Sequence, residues 1–225
     1  MGFLKRFIKY GIALVALLLL LLSCLVHYKH DTFQDYFFSK QSVNSKRSFL
    51  VQSLNVVPVA TDEKTALFLG GTVLEDDIIL PIQKNYYTVV QEEPFFGFQI
   101  FLHGEMREKC RVIQGFKLED VSDFDLVIAS FCLPFYSPEY FKDIWQYIDG
   151  KIKVGAYFIG NFFDPSTSIF NAKERNGMTF HTKEEVLEIF KNYKILKLAE
   201  VKKEYSNGLR NGIEYYYEVF VQKVR

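Results

Sequence analysis

The residues able to do chemistry in this 225-residue chain cluster at the ends of apolar runs. Gly70 and Gly71 close the run Ala66-Leu67-Phe68-Leu69, where a glycine pair lets the backbone turn sharply and approach a ligand closely. Gln91 and Glu92 follow the β-branched and aromatic stretch Tyr86–Val90, and Ser130 and Phe131 leave the run Asp125–Ala129. Glu119 and Asp120 lie between these two runs, where their simplest role is to cap a loop. Cys24, Cys110 and Cys132 form none of the close-spaced Cys/His pairs that a zinc site needs, so neither a metal centre nor a disulfide framework is implied. His27, His30, His103 and His181 are scattered and accompany no G-x-S-x-G motif, which argues against a hydrolase.

Something must hold these positions in place, and the composition is that of a packed domain. Hydrophobic residues make up 49% of the chain and aromatics 17%, enough for a core rather than disorder. The 27 basic and 27 acidic residues balance, which gives no electrostatic case for nucleic acid. A short helix is expected around Phe49–Leu54, followed by Pro58 and a turn at residues 61–64. The domain core begins with the strand Ala66–Leu69. A helix over Glu75–Lys84, with acidic residues in its first turn, and a strand over Tyr86–Val90 come next. Further strands are read at Asp125–Ala129 and, after a turn at Gly155, at Ala156–Ile159; helices are read at Pro138–Tyr147 and Lys183–Phe190. Such alternation predicts a parallel sheet covered by helices on both faces. The tail differs. Ile195–Glu204 and Tyr215–Lys223, joined by turn signals at Asn207-Gly208 and Asn211-Gly212, read as an antiparallel hairpin at one end of the sheet.

The N-terminal segment has a different character. Gly11–Val26 carries no charged side chain and follows Lys5, Arg6 and Lys9. Its sixteen residues would rise roughly 24 Å as a helix, and Phe7, Ile8 and Tyr10 extend it towards the ~30 Å of a hydrocarbon core. A single-pass membrane anchor is the first reading. A second is a secretory signal ending in Leu21-Leu22-Ser23-Cys24, similar to a bacterial lipobox, with Cys24 as the lipidated residue. A third, a buried core helix, fits poorly with a stretch apolar on every side. Lys29 and Lys40 follow the span, so the positive-inside rule gives only a slight preference for an inside N-terminus. The organisation read from the sequence is thus an anchor or signal segment at 1–30, a linker with short helices at 31–61, and one α/β domain at 62–225.

Three stretches resemble the class I S-adenosylmethionine-dependent methyltransferases, and most of all the branch containing the tellurite-resistance methyltransferases. Asp123–Phe135 is similar to that family's fourth strand and following loop, Lys153–Phe163 to its fifth strand, and Met178–Val186 to its turn into the next helix. The resemblance implies a Rossmann-like, mostly parallel sheet with helices on both faces and a C-terminal antiparallel hairpin. It also implies S-adenosylmethionine as cofactor. Carried over position by position, Gly70 and Gly71 belong to the cofactor turn, Gln91 and Glu92 to the ribose-binding end of the second strand, Glu119 and Asp120 to the adenine side, and Ser130 with Phe131 to the wall of the cofactor and acceptor cavity. The first motif departs from the family's pattern. Phe68 stands where the acid belongs, Thr72 and Leu74 replace two glycines, and Gln91 replaces the ribose-binding acid.

Two functions follow from the resemblance. One is an enzyme transferring a methyl group to a small molecule or membrane-proximal acceptor, which needs no metal and little acid or base help; His181 and Tyr136 are the residues considered for acceptor contact. The other is an inactive relative serving as a binding or scaffold module, towards which Phe68, Thr72, Leu74 and Gln91 all point. Topology bears on the choice, because an inside N-terminus places the domain away from the cytosolic cofactor pool. No oligomeric state follows from the sequence.

Overall fold

The computed structural model describes residues 49–58, 64–69, 87–92, 110–113, 123–206 and 211–225. The chain divides into two compact units, Met1–Phe49 and Leu50–Arg225. The apolar stretch at Gly11–Val26, and with it the choice between anchor and signal, lies outside the described residues. Among the described residues no helix is long and apolar enough to cross a membrane.

Seven strands form one sheet in the order β3-β2-β1-β4-β5-β7-β6. They are β1 (Lys64–Leu69), β2 (Tyr87–Glu92), β3 (Cys110–Ile113), β4 (Phe124–Ala129), β5 (Ile152–Phe163), β6 (Tyr193–Ser206) and β7 (Asn211–Lys223). The first five run parallel, while β7 pairs antiparallel with both β5 and β6. The helices are α1 (residues 49–54), α2 (Pro138–Lys151), α3 (Ala172–Arg175) and α4 (Lys183–Ile189). The expected α/β, Rossmann-like fold with its C-terminal hairpin is present.

Ala66–Leu69 and Leu126–Ala129 are at most 1% exposed, because side chains on both faces of these central strands are covered. Alternation sends Leu67, Leu69, Val127 and Ala129 to the face where Phe141, Ile144 and Ile148 of α2 and Val186 of α4 pack. Local chemistry fixes where those helices begin. Ser137 accepts a hydrogen bond from the Tyr140 amide and Pro138 occupies the first helical position of α2. Thr182 and Glu185 form a reciprocal capping box at the start of α4. The expected helix at Glu75–Lys84 lies outside the described residues.

Several elements differ from the sequence reading, among them β2, which runs to Glu92 rather than Val90, and α2, which runs to Lys151 rather than Tyr147. Gly155 does not precede the fifth strand as a turn; it lies within β5 at φ +88°. There the pairing with β4 jumps from Phe124↔Ile152 to Leu126↔Tyr157, so residues 153–156 bulge outward. The bulge returns Lys153 to Asp125, whose carboxylate accepts from Lys153 Nζ at 2.9 Å and from the Thr65 amide at 3.0 Å. Asn211 and Gly212 do not form the hairpin turn either, but begin β7 opposite Ser206 and Tyr205. Gly212 still needs to be glycine, since at φ +146° a Cβ would meet the Ser168 backbone at 2.9 Å. Two four-residue elements, β3 and α3, are absent from the sequence reading.

Candidate functional site

The order of the strands locates the crevice. After β1 the chain moves to β2 and β3 on one side, and after β4 to β5 on the other, so the connections diverge at the β1–β4 pair. In an open parallel sheet the space beyond the C-terminal ends of two such strands is where ligands bind. The strand ends facing it are Leu69, Glu92 and Ala129.

Of the site residues read from the sequence, Gln91, Glu92, Ser130 and Phe131 fall among the described residues. Gly70 and Gly71 follow β1 directly but lie outside the described residues, as do Thr72, Leu74, Glu119 and Asp120. Gln91 and Glu92 are the last two residues of β2. Gln91 is the register partner of Phe68, which in turn pairs with Ile128, so these three stand level across the sheet. Phe68 is 1% exposed and fills its position completely. Ser130 leaves β4 partly buried beside Phe131.

Phe131 is the one non-glycine residue at positive φ (48°) among the described residues. A left-handed backbone costs an ordinary side chain about 1–2 kcal/mol, so the surroundings must hold it. Its amide donates to Oδ1 of Asn161 at 3.4 Å. Its ring stands edge-on to Tyr216 at 5.0 Å and tilted to Phe163 at 6.0 Å, and those two residues are direct partners across β5 and β7. Phe135 meets Phe163 at 5.8 Å and Phe170 at 6.0 Å. This aromatic group borders the crevice on the β5 side. The strand sequences hint at it through Phe163 and Tyr216, while Asn161 is marked only by being polar inside an apolar run.

The wall is tied down from behind. Thr179 donates its amide to the Pro134 carbonyl at 2.9 Å and its hydroxyl to that of Tyr136 at 2.7 Å, joining the segments after β4 and β5. Thr167 donates its hydroxyl to the Tyr215 carbonyl at 2.6 Å, and the Ser168 amide donates to Ile213 at 2.7 Å, which binds the post-β5 segment along β7. Arg175 lies 4.0 Å above the Phe180 ring and donates to the carbonyls of Thr167 and Pro165.

His181 donates its amide to the Phe163 carbonyl at 2.8 Å, beside the aromatic wall, but its side chain turns to the helix-covered face. Its ring packs on Phe141 at 4.7 Å and Phe162 at 5.6 Å, on the helix-covered face. Nδ1 has no hydrogen-bond partner among the described residues. Burial holds its pKa below the ordinary imidazole value, outweighing the opposite pull of the Glu185 charge. The unfolded chain therefore binds this proton more readily, and stability falls as pH drops from about 6.5 towards the folded-state pKa. Urea midpoints at pH 7.5 and 5.5 are expected to show that loss, reduced in His181→Gln. Tyr136 packs on Tyr140 at 5.3 Å, and the Cys132 thiol donates to its hydroxyl at 3.6 Å.

No cluster of potential metal ligands occurs among the described residues. A shallow depression of about 440 Å³ on α2, lined by Asp143, Gln146, Tyr147, Gly150 and Lys151, sits towards the helix end that leads into β5. That is the opposite edge of the sheet from the crevice.

No family model matches the chain, and no curated protein is significantly similar to it in sequence. Solved structures are similar in fold. TehB from Haemophilus influenzae superposes with a TM-score of 0.59 at 14% identity, over 84% of this chain and 66% of that one, so this chain spans just under two thirds of its length. The magnesium protoporphyrin IX methyltransferase of Synechocystis PCC 6803, solved with bound S-adenosylmethionine, gives 0.54 at 10% identity over 87% and 91%. The 1,6-didemethyltoxoflavin-N1-methyltransferase of Burkholderia thailandensis, solved with its substrate and S-adenosylhomocysteine, gives 0.52 at 11% over 90% of both chains. The fold is that of the class I methyltransferases.

Proposed function

We propose that this chain is a membrane-tethered methyltransferase that binds S-adenosylmethionine and passes its methyl group to a small-molecule or membrane-proximal acceptor. The observation that carries this reading is the crevice between β1 and β4, with the divergent connections of a nucleoside-binding sheet, in a fold whose solved neighbours hold that cofactor in one case and S-adenosylhomocysteine in another. Gly70 and Gly71 would meet the cofactor backbone-first, Gln91 and Glu92 would take the ribose, Glu119 and Asp120 the adenine, and Ser130 the reacting end.

When bound, the cofactor supplies an already activated methyl group on its sulfonium. The protein's part is to align the acceptor behind that carbon and to keep water out, which supplies much of the acceleration in such transfers. The aromatic group at Phe131, Phe135 and Phe163 offers a dry wall for this. Tethering through Gly11–Val26 would hold the site near a bilayer.

Phe68 favours a second reading, a scaffold without catalysis. The family's acid is absent there and the phenyl ring leaves no room for water or ligand. Gln91 hydrogen-bonds about half as strongly as a carboxylate, which predicts binding roughly tenfold weaker than an intact site would give. Calorimetric titration of the full-length protein in detergent with S-adenosylmethionine decides between the two. Saturable heat is expected; none at millimolar ligand would leave the scaffold.

A further inference from the structure

Asn161 stands where an apolar residue would be expected. It lies on β5 between Gly160 and Phe162, is 5% exposed, and faces Glu218 across the β5–β7 ladder. Its Oδ1 takes the Phe131 amide at 3.4 Å, thirty residues away in sequence. That contact falls on a residue whose backbone is in the left-handed region, at the point where the chain leaves β4 beside the crevice.

We infer that Asn161 is a positioning residue: it holds Phe131 left-handed, so that the loop after β4 folds back onto Phe163 and Tyr216 instead of crossing the mouth between β1 and β4. An extended residue at 131 would carry the chain straight on from the strand end, over the space a nucleoside needs. The contact to Asn161 orients the peptide plane before Phe131 and the ring lodged against Phe163 and Tyr216 orients its Cβ, so together they restrain φ. What the open mouth admits rests on the function proposed above; the hold on Phe131 does not.

Glycine adopts the left-handed conformation freely, so a Phe131→Gly chain needs no such hold. Four full-length proteins test the idea: wild type, Asn161→Ala, Phe131→Gly and the double variant. With Phe131 in place, Asn161→Ala is expected to weaken S-adenosylhomocysteine binding about tenfold, or about 1.4 kcal/mol, and to lower the ligand-free melting temperature by about 3 °C. Added to Phe131→Gly, the same substitution is expected to change affinity less than about twofold and the melting temperature by under about 1 °C. Equal losses in both backgrounds, or none in either, would overturn the hold and reduce Asn161 to ordinary packing. If Asn161→Ala fails to fold in both, Asn161→Ser is read by the same two outcomes. A wild type that binds no S-adenosylhomocysteine sinks the proposed function, while the melting cycle still decides the hold.

Discussion

Phe68→Asp is expected to abolish folding of the domain, although an acid is what the resembling family carries at this position. The ring is 1% exposed at the middle of the sheet, between Gln91 on β2 and Ile128 on β4. Replacing it removes a buried phenyl group, at about 3–5 kcal/mol, and brings a carboxylate into a site with no solvent, at several kcal/mol more. The sum matches the whole stability of a typical domain, about 5–15 kcal/mol. Soluble yield and the near-ultraviolet circular dichroism of the variant should both collapse. Phe68→Leu keeps the site apolar and should melt cooperatively, at a cost of about 1–2 kcal/mol. A well-folded Phe68→Asp protein would mean that the position opens to water, and with it the crevice beside β1.

Gly160→Ala should be the next most damaging single change. A Cβ there would lie 2.6 Å and 2.7 Å from two carbons of the Phe158 ring and 3.1 Å from the Ala129 carbonyl oxygen. The backbone oxygen belongs to the β4 ladder and has little freedom. The ring is no freer, since Phe158 is fully buried and packs on Trp145 and Phe190, both at 5.2 Å. Overpacking of this kind costs about 1–3 kcal/mol, here towards the upper end, and should lower the melting temperature by about 6–12 °C. Phe158→Leu shortens the obstructing side chain. In that background the added methyl should cost clearly less, a coupling that a double-mutant melting cycle would detect. Additive losses would locate the clash at the Ala129 carbonyl alone.

How far the sequence could be read depended on the kind of signal each element sends. Ala66–Leu69 and Asp125–Ala129 were legible because strands buried on both faces are continuous apolar runs. The α2 and α4 starts were legible through Pro138 and the Thr182–Glu185 pair, which have local capping chemistry. The four-residue β3 was not, because Arg111 interrupts a run too short to show a period. The apolar run alone put the start of β5 after Gly155, which ordinarily signals a turn yet here supplies the positive φ of a bulge, whereas the family resemblance at Lys153–Phe163 covered nearly the whole strand. Asn211-Gly212 misled in the same way, since the residue pair fixes backbone angles but not whether the next strand has already begun. For the candidate site, the family resemblance singled out Ser130 and Phe131 and put Gln91 at the end of its strand, where β2 has it. The sequence could not reveal that Phe131 is left-handed or that Asn161 reaches it, because both facts depend on two strands meeting thirty residues apart.

The place of β7 between β5 and β6 bears on how the protein is made. A ribosome delivers β5 and β6 first, and each emerges with an open hydrogen-bonding edge meant for a strand not yet synthesised. Until Asn211–Lys223 arrives, those edges, with Phe158, Ile159 and Phe163 alongside, are available to neighbouring nascent chains. Assembly therefore closes late and all at once, and a chain interrupted before Asn211 should aggregate rather than persist as a shortened sheet.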